Sequence, residues 1–287
     1  MTRIIKAESL GFCMGVRRAI DKILAEADKY GEIETLGALV HNQQVIDHLS
    51  EKGVRTVNDA GDIKGNRIVI SAHGVGPAVI DDLKASGLEV VDTTCSFVKR
   101  AQKAASKLNQ DGFFTLVFGD KKHPEVKGIL GWAGGNGLAT VNAEDLKELP
   151  SLPKKLGIVS QTTQIPAAFD AFVKEVLSIA FRQDSEIRIV DTFCHDIRRR
   201  QELTSNLAKE CELVYVIGGR NSANTRHLYD ICSEHAKTYQ IETADDILPA
   251  ALEGVETIGV AAGASTEDQT IDEVIRRLEE LTHAVIE

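Results

Sequence analysis

Two stretches of the chain, VVDTTCS at 90–96 and IVDTFCH at 189–195, present a cysteine in the same way. Each has a short apolar run, an Asp-Thr pair, one variable residue and then the thiol. A third cysteine, Cys13, follows ESLGF. Thiolates are nucleophiles and soft metal ligands, so three similarly presented ones invite a shared role. A second set of residues has chemistry of its own: His41, His73, His123, Ser222, Asn224 and Ser265, each in a short polar loop. Their imidazole, hydroxyl and amide groups suit a small anion with many oxygens, such as a diphosphate. Glu125, two residues after His123, is the odd member. A carboxylate beside a phosphate is repelled and tends to hold a proton, and a protonated Glu can deliver one.

The elements that position these residues repeat along the chain. After Cys13, residues Val16, Ile20, Ile23, Leu24 and Ala27 trace one face of an amphipathic helix. After Cys95, Val98, Ala101, Ala105 and Leu108 do the same. After Cys194 the pattern is weaker, with Ile197, Leu203 and Leu207. A strand follows each helix and runs into a polar loop about 28 residues past the cysteine, at His41, His123 and Ser222. Another Val/Ile-rich strand comes next and ends in small polar residues: Ser71 with His73, Thr162 with Thr163, and Ser265. Short, non-alternating strands of this kind are those of parallel sheets covered on both faces by helices. Ligands of open parallel sheets bind beyond the carboxyl ends of the strands, where these loops lie. The expected fold is therefore α/β, with mostly parallel sheets in three similar units: 1–95, 96–194 and 195–287.

Three cysteines from distant parts of the chain fit either zinc with a fourth ligand or an iron–sulfur cluster. No C-x-x-C pair of the structural-zinc type is present. Ferredoxin-type carriers also use closely spaced cysteines and fill all four cluster positions. Three cysteines on a 4Fe-4S cluster would leave one iron open as a Lewis acid. Cys211 and Cys232 fall outside the repeated positions and read as small buried hydrophobes. Basic residues follow each repeated cysteine, at Arg17-Arg18, Lys99-Arg100 and Arg198 to Arg200. They suit either thiolate stabilisation or solvated helix faces. GWAGGNG at 131–137 reads as a loop, and no Walker or nicotinamide fingerprint occurs.

Composition excludes other classes. A formal net charge of −10 argues against a nucleic-acid binder, which needs a basic face. No apolar run approaches the roughly 20 residues of a membrane-spanning helix. The N-terminus has no secretory-signal pattern, so the expected location is cytoplasmic.

The segments GFCMGVRRAI, LVHN, SAHGV, DTTC, HPEV, SQTT, GGRNSANT and AGAST, in that order, resemble the 4-hydroxy-3-methylbut-2-enyl diphosphate reductase family over essentially the whole chain. The resemblance implies three α/β domains around a pseudo-threefold axis. It implies a central 4Fe-4S cluster on Cys13, Cys95 and Cys194, with one iron not bound by cysteine. His41, His73, His123, Ser222, Asn224 and Ser265 match the diphosphate binders. Glu125 matches the residue that passes protons, Thr162 the one that orients the substrate hydroxyl, and His123 stands with them in the catalytic set. The implied reaction removes the allylic hydroxyl with two electrons and two protons and gives isopentenyl and dimethylallyl diphosphate. Reduced ferredoxin or flavodoxin would supply the electrons, with no nucleic acid or membrane as partner.

Three positions depart from the family pattern. Asp196 and Ile197 stand where Ala-Thr is usual after the third cysteine, which places a charge close to the expected cluster. Ala223 replaces a Ser in the phosphate loop, and Ser96 replaces a Pro. These changes motivate an alternative, a divergent paralogue using the open iron for hydratase or lyase chemistry.

Overall fold

The computed structural model describes residues 2–181, 184–282 and 285–286. The first stretch holds β1 (Arg3–Lys6), α1 (Met14–Tyr30), β2 (Ile33–Leu36), α2 (Gln43–Glu51), β3 (Val54–Val57), β4 (Arg67–Ile70), α3 (Pro77–Ala85) and β5 (Glu89–Asp92). Next come α4 (Ser96–Gln110), β6 (Phe114–Phe118), α5 (Pro124–Trp132), β7 (Gly137–Thr140), β8 (Lys155–Ser160), α6 (Pro166–Ala180) and β9 (Glu186–Ile189). The last part holds α7 (His195–Glu210), β10 (Leu213–Ile217), α8 (Ala223–Ser233), β11 (Lys237–Ile241), β12 (Thr257–Ala262), α9 (Asp268–Thr282) and β13 (Val285–Ile286).

These strands form three sheets, β3-β2-β4-β5, β7-β6-β8-β9 and β11-β10-β12-β1-β13, and every pairing is parallel. The α/β architecture expected from the sequence is present. The strand order is the same three times, with one difference from the expected segments. The fourth strand of the last sheet is β1, paired from Arg3 to Lys6 with Thr257 to Val260. The start of the chain therefore lies with residues 195–287 rather than with the rest of 1–95. The repeat is offset: each copy begins at the helix after a cysteine and ends with the strand before one. Cys13 closes the last copy.

By internal contacts the chain divides into two compact units. One comprises the residues up to Arg17, Val40–Leu49 and the residues from His195 onward. The other comprises Arg18–Leu39 and Ser50–Cys194.

Burial on both faces explains the non-alternating strands. In β6, Leu116 and Phe118 join one apolar cluster with Phe169 and Phe172 of α6, while Val117 joins another with Ala101, Ala105 and Leu108 of α4. In β10, Leu213, Tyr215 and Ile217 pack with Val274 and Leu278 of α9. Val214 and Val216 pack instead with Leu207 of α7 and Leu228 of α8. The GWAGGNG stretch is not wholly loop: Gly131 and Trp132 end α5, and Gly137 starts β7. Among the described residues no helix is long and apolar enough to cross a membrane.

Ile4 of β1 is fully buried in the core of the last sheet. Ile4→Ala should therefore cost about 2–5 kcal/mol, as for other buried large-to-small changes. Urea unfolding would report it, and a loss under 1 kcal/mol would contradict the packing of the N-terminal strand against β12.

Candidate active site

The unit comprising Arg18–Leu39 and Ser50–Cys194 carries Cys95, Cys194, His73, His123, Glu125 and Thr162. The two Asp-Thr-x-Cys turns are built identically. Asp92 accepts through Oδ1 from the Thr94 N–H at 2.8 Å, and Asp191 from the Phe193 N–H at 3.0 Å. These are Asx turns, the local bonding that short acidic side chains favour. The Thr93 and Thr192 hydroxyls donate to Ile70 O and Ser160 O, at 2.5 and 2.7 Å, at the ends of the neighbouring strands β4 and β8. The cysteine N–H groups then donate to carbonyls two residues further on, Cys95 to Ala72 and Cys194 to Thr162, both at 3.0 Å. Asp and Thr thus fasten the turn, and the next element begins: Cys95 is the N-cap of α4, and α7 starts just after Cys194.

His123 caps α5, with its Nδ1 accepting from the Glu125 N–H at 3.2 Å, and Pro124 fixes the first helical position. The His73 and His123 rings meet edge to face, with centroids 5.2 Å apart. Glu125 is 2% exposed and is held by one residue on both oxygens. The Thr162 N–H donates to Oε1 at 2.6 Å and the Thr162 hydroxyl to Oε2 at 3.1 Å. Burial pushes the Glu125 carboxyl up, the two Thr162 bonds pull it back in part, and it rests at about 7. That is the range of a group able to give up a proton near neutral pH.

The other unit carries Cys13, His41, Ser222, Asn224 and Ser265. The Cys13 N–H donates to Ala264 O at 3.0 Å, again two residues past a strand end, here β12. Its Sγ accepts from the Val16 N–H at 3.5 Å in the first turn of α1. No Asp-Thr pair precedes Cys13. Gly11 makes the turn instead at φ +71, and a Cβ there would lie 2.1 Å from Asp268 Oδ1. Ser222 is the N-cap of α8, accepting from the Thr225 N–H at 3.3 Å. His41 reaches this loop because Gly219 leaves room for it: a Cβ on Gly219 would lie 2.4 Å from His41 O. The neighbouring Asn42 donates to Ser265 O at 2.9 Å and accepts from the Gln44 N–H at 3.1 Å. Burial pushes the His41 imidazole down, toward its neutral form. Asn224 is 5% exposed, and neither its amide nitrogen nor its amide oxygen has a hydrogen-bond partner. A buried, unsatisfied side-chain amide is costly and points to a ligand that completes it.

The three repeated cysteines are thiols outside any disulfide, at matching positions after parallel strands and at helix starts. As a donor set they fit iron–sulfur ligation, whereas Cys211 and Cys232 do not. The latter two lie in an apolar cluster, and burial pushes their thiols up to about 11 and about 12. Asp196 is exposed on the first turn of α7. Ser96 is the exposed first residue of α4 and Ala223 the first of α8. Asn42 and Gln161 were missed as supports. Gln161 is fully buried and accepts from the Asp120 N–H at 3.2 Å. Their positions in the LVHN and SQTT segments were the available signal.

A family profile described as LytB protein matches residues 4–279. This chain belongs to the LytB family. A protein of Dehalococcoides mccartyi (strain CBDB1) is 55% identical over 276 residues, 96% of this chain and 97% of its own. One from Geobacter metallireducens is 42% identical over 282 residues, 98% of each chain. Both are named 4-hydroxy-3-methylbut-2-enyl diphosphate reductase. A solved structure titled as that reductase, the terminal enzyme of the non-mevalonate pathway, is 38% identical with a TM-score of 0.69, covering 98% of this chain and all of its own. The Plasmodium falciparum structure shares the fold, with a TM-score of 0.91 at 24% identity over 99% of this chain and 91% of its own. As a LytB-family member the chain is an oxidoreductase.

The raised Glu125 carboxyl makes stability depend on pH. The folded state binds the proton more tightly than the unfolded one, so stability falls as pH rises from about 4.5 to about 7. Glu125→Gln removes this penalty. Its melting temperature should exceed the wild type's by more at pH 8 than at pH 5, with a ceiling of roughly 3 kcal/mol. Parallel melting curves at the two pH values would not support a buried, proton-holding carboxyl.

Proposed function

We propose that the chain reduces 4-hydroxy-3-methylbut-2-enyl diphosphate to isopentenyl and dimethylallyl diphosphate. The observation that carries this reading is the buried Glu125, which has a carboxyl near 7 and both oxygens held by Thr162. The relatives' names supply the substrate class.

Cys13, Cys95 and Cys194 would hold a 4Fe-4S cluster with one iron not bound by cysteine. When bound, it would supply a Lewis acid and a route for electrons. The rest of the work falls to the protein. His41, His73, His123, Ser222, Asn224 and Ser265 would bind the diphosphate oxygens, with Asn224 gaining the partners it lacks. The start of α8 adds backbone N–H groups and the positive end of its dipole. Thr162 would orient the substrate's hydroxyl end while its N–H keeps Glu125 in place. Glu125 would give up its proton from Oε2, so that the hydroxyl leaves as water. The balance is two electrons and two protons per turnover: one C–O bond breaks, one C–H bond forms and one water is released. We propose reduced ferredoxin or flavodoxin as electron donor, cytoplasmic location, and three α/β units as the domains that carry this chemistry, with the start of the chain belonging to the last of them.

The test is anaerobic turnover of iron- and sulfide-reconstituted protein with the hydroxylated diphosphate and reduced methyl viologen. Dye oxidation with both five-carbon diphosphates is expected. Iron-loaded protein that gives neither product would sink the reading. Turnover without any donor would favour hydratase or lyase chemistry.

Two further outcomes follow from the geometry. Turnover should fall as pH rises through about 7, because Glu125 then loses the proton it must give. Glu125→Gln should bind substrate and lose most turnover at every pH, and a wild-type pH profile in that variant would refute the proton role. Asn224→Ala should not lower thermal stability, since the amide has no partner to lose. It should weaken binding of inorganic diphosphate about 10-fold or more, which calorimetry would measure.

A further inference from the structure

Of the basic residues that follow the repeated cysteines, Arg17, Arg18 and Arg199 are exposed on solvated helix faces, but Arg100 and Arg200 are not simply that. In α4, Arg100 donates through Nη2 to the carbonyl of Phe193, the residue before Cys194. In α7, Arg200 donates through Nη2 to the carbonyl of Gly11, two residues before Cys13, at 2.9 Å. Its Nη1 donates to the carbonyl of Ala262, the end of β12, at 2.8 Å. In α1, Lys22 donates to the carbonyl of Asp92, three residues before Cys95, at 3.0 Å. The order is regular. The helix after Cys13 reaches the turn of Cys95, the helix after Cys95 that of Cys194, and the helix after Cys194 that of Cys13.

We propose that Arg200 and Arg100 are positioning residues. They fix the turns of Cys13 and Cys194 so that the thiols are set before a cluster arrives, and they keep a permanent positive charge beside it. The proposal rests on the iron–sulfur reading given above.

Arg200 is the stronger case. It is 3% exposed, and a buried guanidinium needs its donors satisfied. The two carbonyls it bridges belong to the Cys13 turn and to the strand whose extension bonds the Cys13 N–H. One side chain thus ties both sides of that turn. The Cys13 turn has no Asp-Thr pair, so Arg200 supplies the fastening that side chains within the other two turns provide. Arg100 adds a second fastening to a turn already held by Asp191 and Thr192. Lys22 is exposed, and its single bond should matter less. Outer-shell partners of this kind typically affect metal retention about 10–100-fold. A cation beside a cluster also favours the more negative, reduced state and raises its potential.

The test compares wild type with Arg200→Met, Arg200→Lys, Arg100→Met and Lys22→Met, each reconstituted anaerobically with iron and sulfide. Iron release to an excess of bipyridyl is timed, and the midpoint potential is read by EPR-monitored titration. Thermal melting of the metal-free proteins is run alongside. Arg200→Met should release iron about 10–100-fold faster than wild type, with a more negative midpoint potential. Arg100→Met should do the same to a smaller extent. Arg200→Lys, which keeps the charge and one bond, should release iron at an intermediate rate with a near-wild-type potential. Lys22→Met should stay within about threefold. Arg200 and Arg100 variants that lose thermal stability but keep wild-type release and potential would overturn the proposal. If Arg200→Met does not fold, wild-type release from Arg200→Lys would overturn it equally. A wild type that binds no iron would instead remove the cluster reading, which separates the two failures.

Discussion

One backbone hydrogen bond recurs wherever a repeated cysteine occurs. The cysteine N–H donates to a carbonyl two residues past the end of the neighbouring parallel strand: Ala264, Ala72 or Thr162, each at 3.0 Å. The bond links the extensions of two adjacent strands beyond their last regular pair, directly after it at Cys95 and after a short excursion of the chain at Cys194 and Cys13. A parallel sheet brings adjacent strands to the same edge, so a residue just past one strand can be fastened to the extension of the next. The thiol inherits its position from that edge, and a helix begins immediately afterwards. Because helix start and strand end are both fixed, the cysteine lies at the junction of two rigid elements. That rigidity suits the ligand role proposed for these cysteines, since a preorganised site holds its ligands through the surrounding structure.

Thr162 shows how the same edge serves proton chemistry. Its carbonyl accepts from Cys194, while its N–H and hydroxyl donate to Glu125. One residue therefore joins a candidate cluster ligand to a candidate proton donor. The two requirements on Glu125 oppose each other. Burial raises its carboxyl and the Thr162 bonds lower it, and the result lies near neutrality. Without the Thr162 bonds the carboxyl would be pushed further up and would hold its proton too firmly to deliver it. In a more open site it would be ionised and have no proton to deliver. Asn224 has the opposite character: its amide is buried without partners. Stability alone gives no account of such a group, whereas the proposed role in anion binding does.

Much of this was legible in the sequence, for physical reasons. The strands read as parallel and doubly covered because β6 and β10 bury every second residue in one cluster and the rest in another. The Asp-Thr-x-Cys turns were visible because local bonding needs those side chains at those spacings. The destination of β1 was not visible. Strand pairing is long-range, and nothing in RIIK says that it pairs with TIGV more than two hundred residues later. The sequence also undervalued α7. Its apolar face looked weak because Arg200, Gln201 and Thr204 occupy buried positions. Periodicity counts apolar residues, so a helix whose inner face is polar and hydrogen-bonded reads as a poor one.

The offset of the repeat connects these points. The Cys13 turn follows β1, the strand that takes the place in the last sheet that β5 and β9 take in the other two. The turn departs from the other two in sequence, with ESLGF in place of an Asp-Thr pair. Two devices replace the lost Asx turn and threonine bond. Gly11 takes a left-handed conformation that a side chain could not adopt against Asp268. Arg200 brings two donors from a helix far along the sequence. The polar face of α7 and the odd sequence before Cys13 are therefore one feature seen from its two sides. All three turns receive a long-range bond, but only at Cys13 does it stand in for a missing local one, and a sequence reading based on local patterns registers only what is missing.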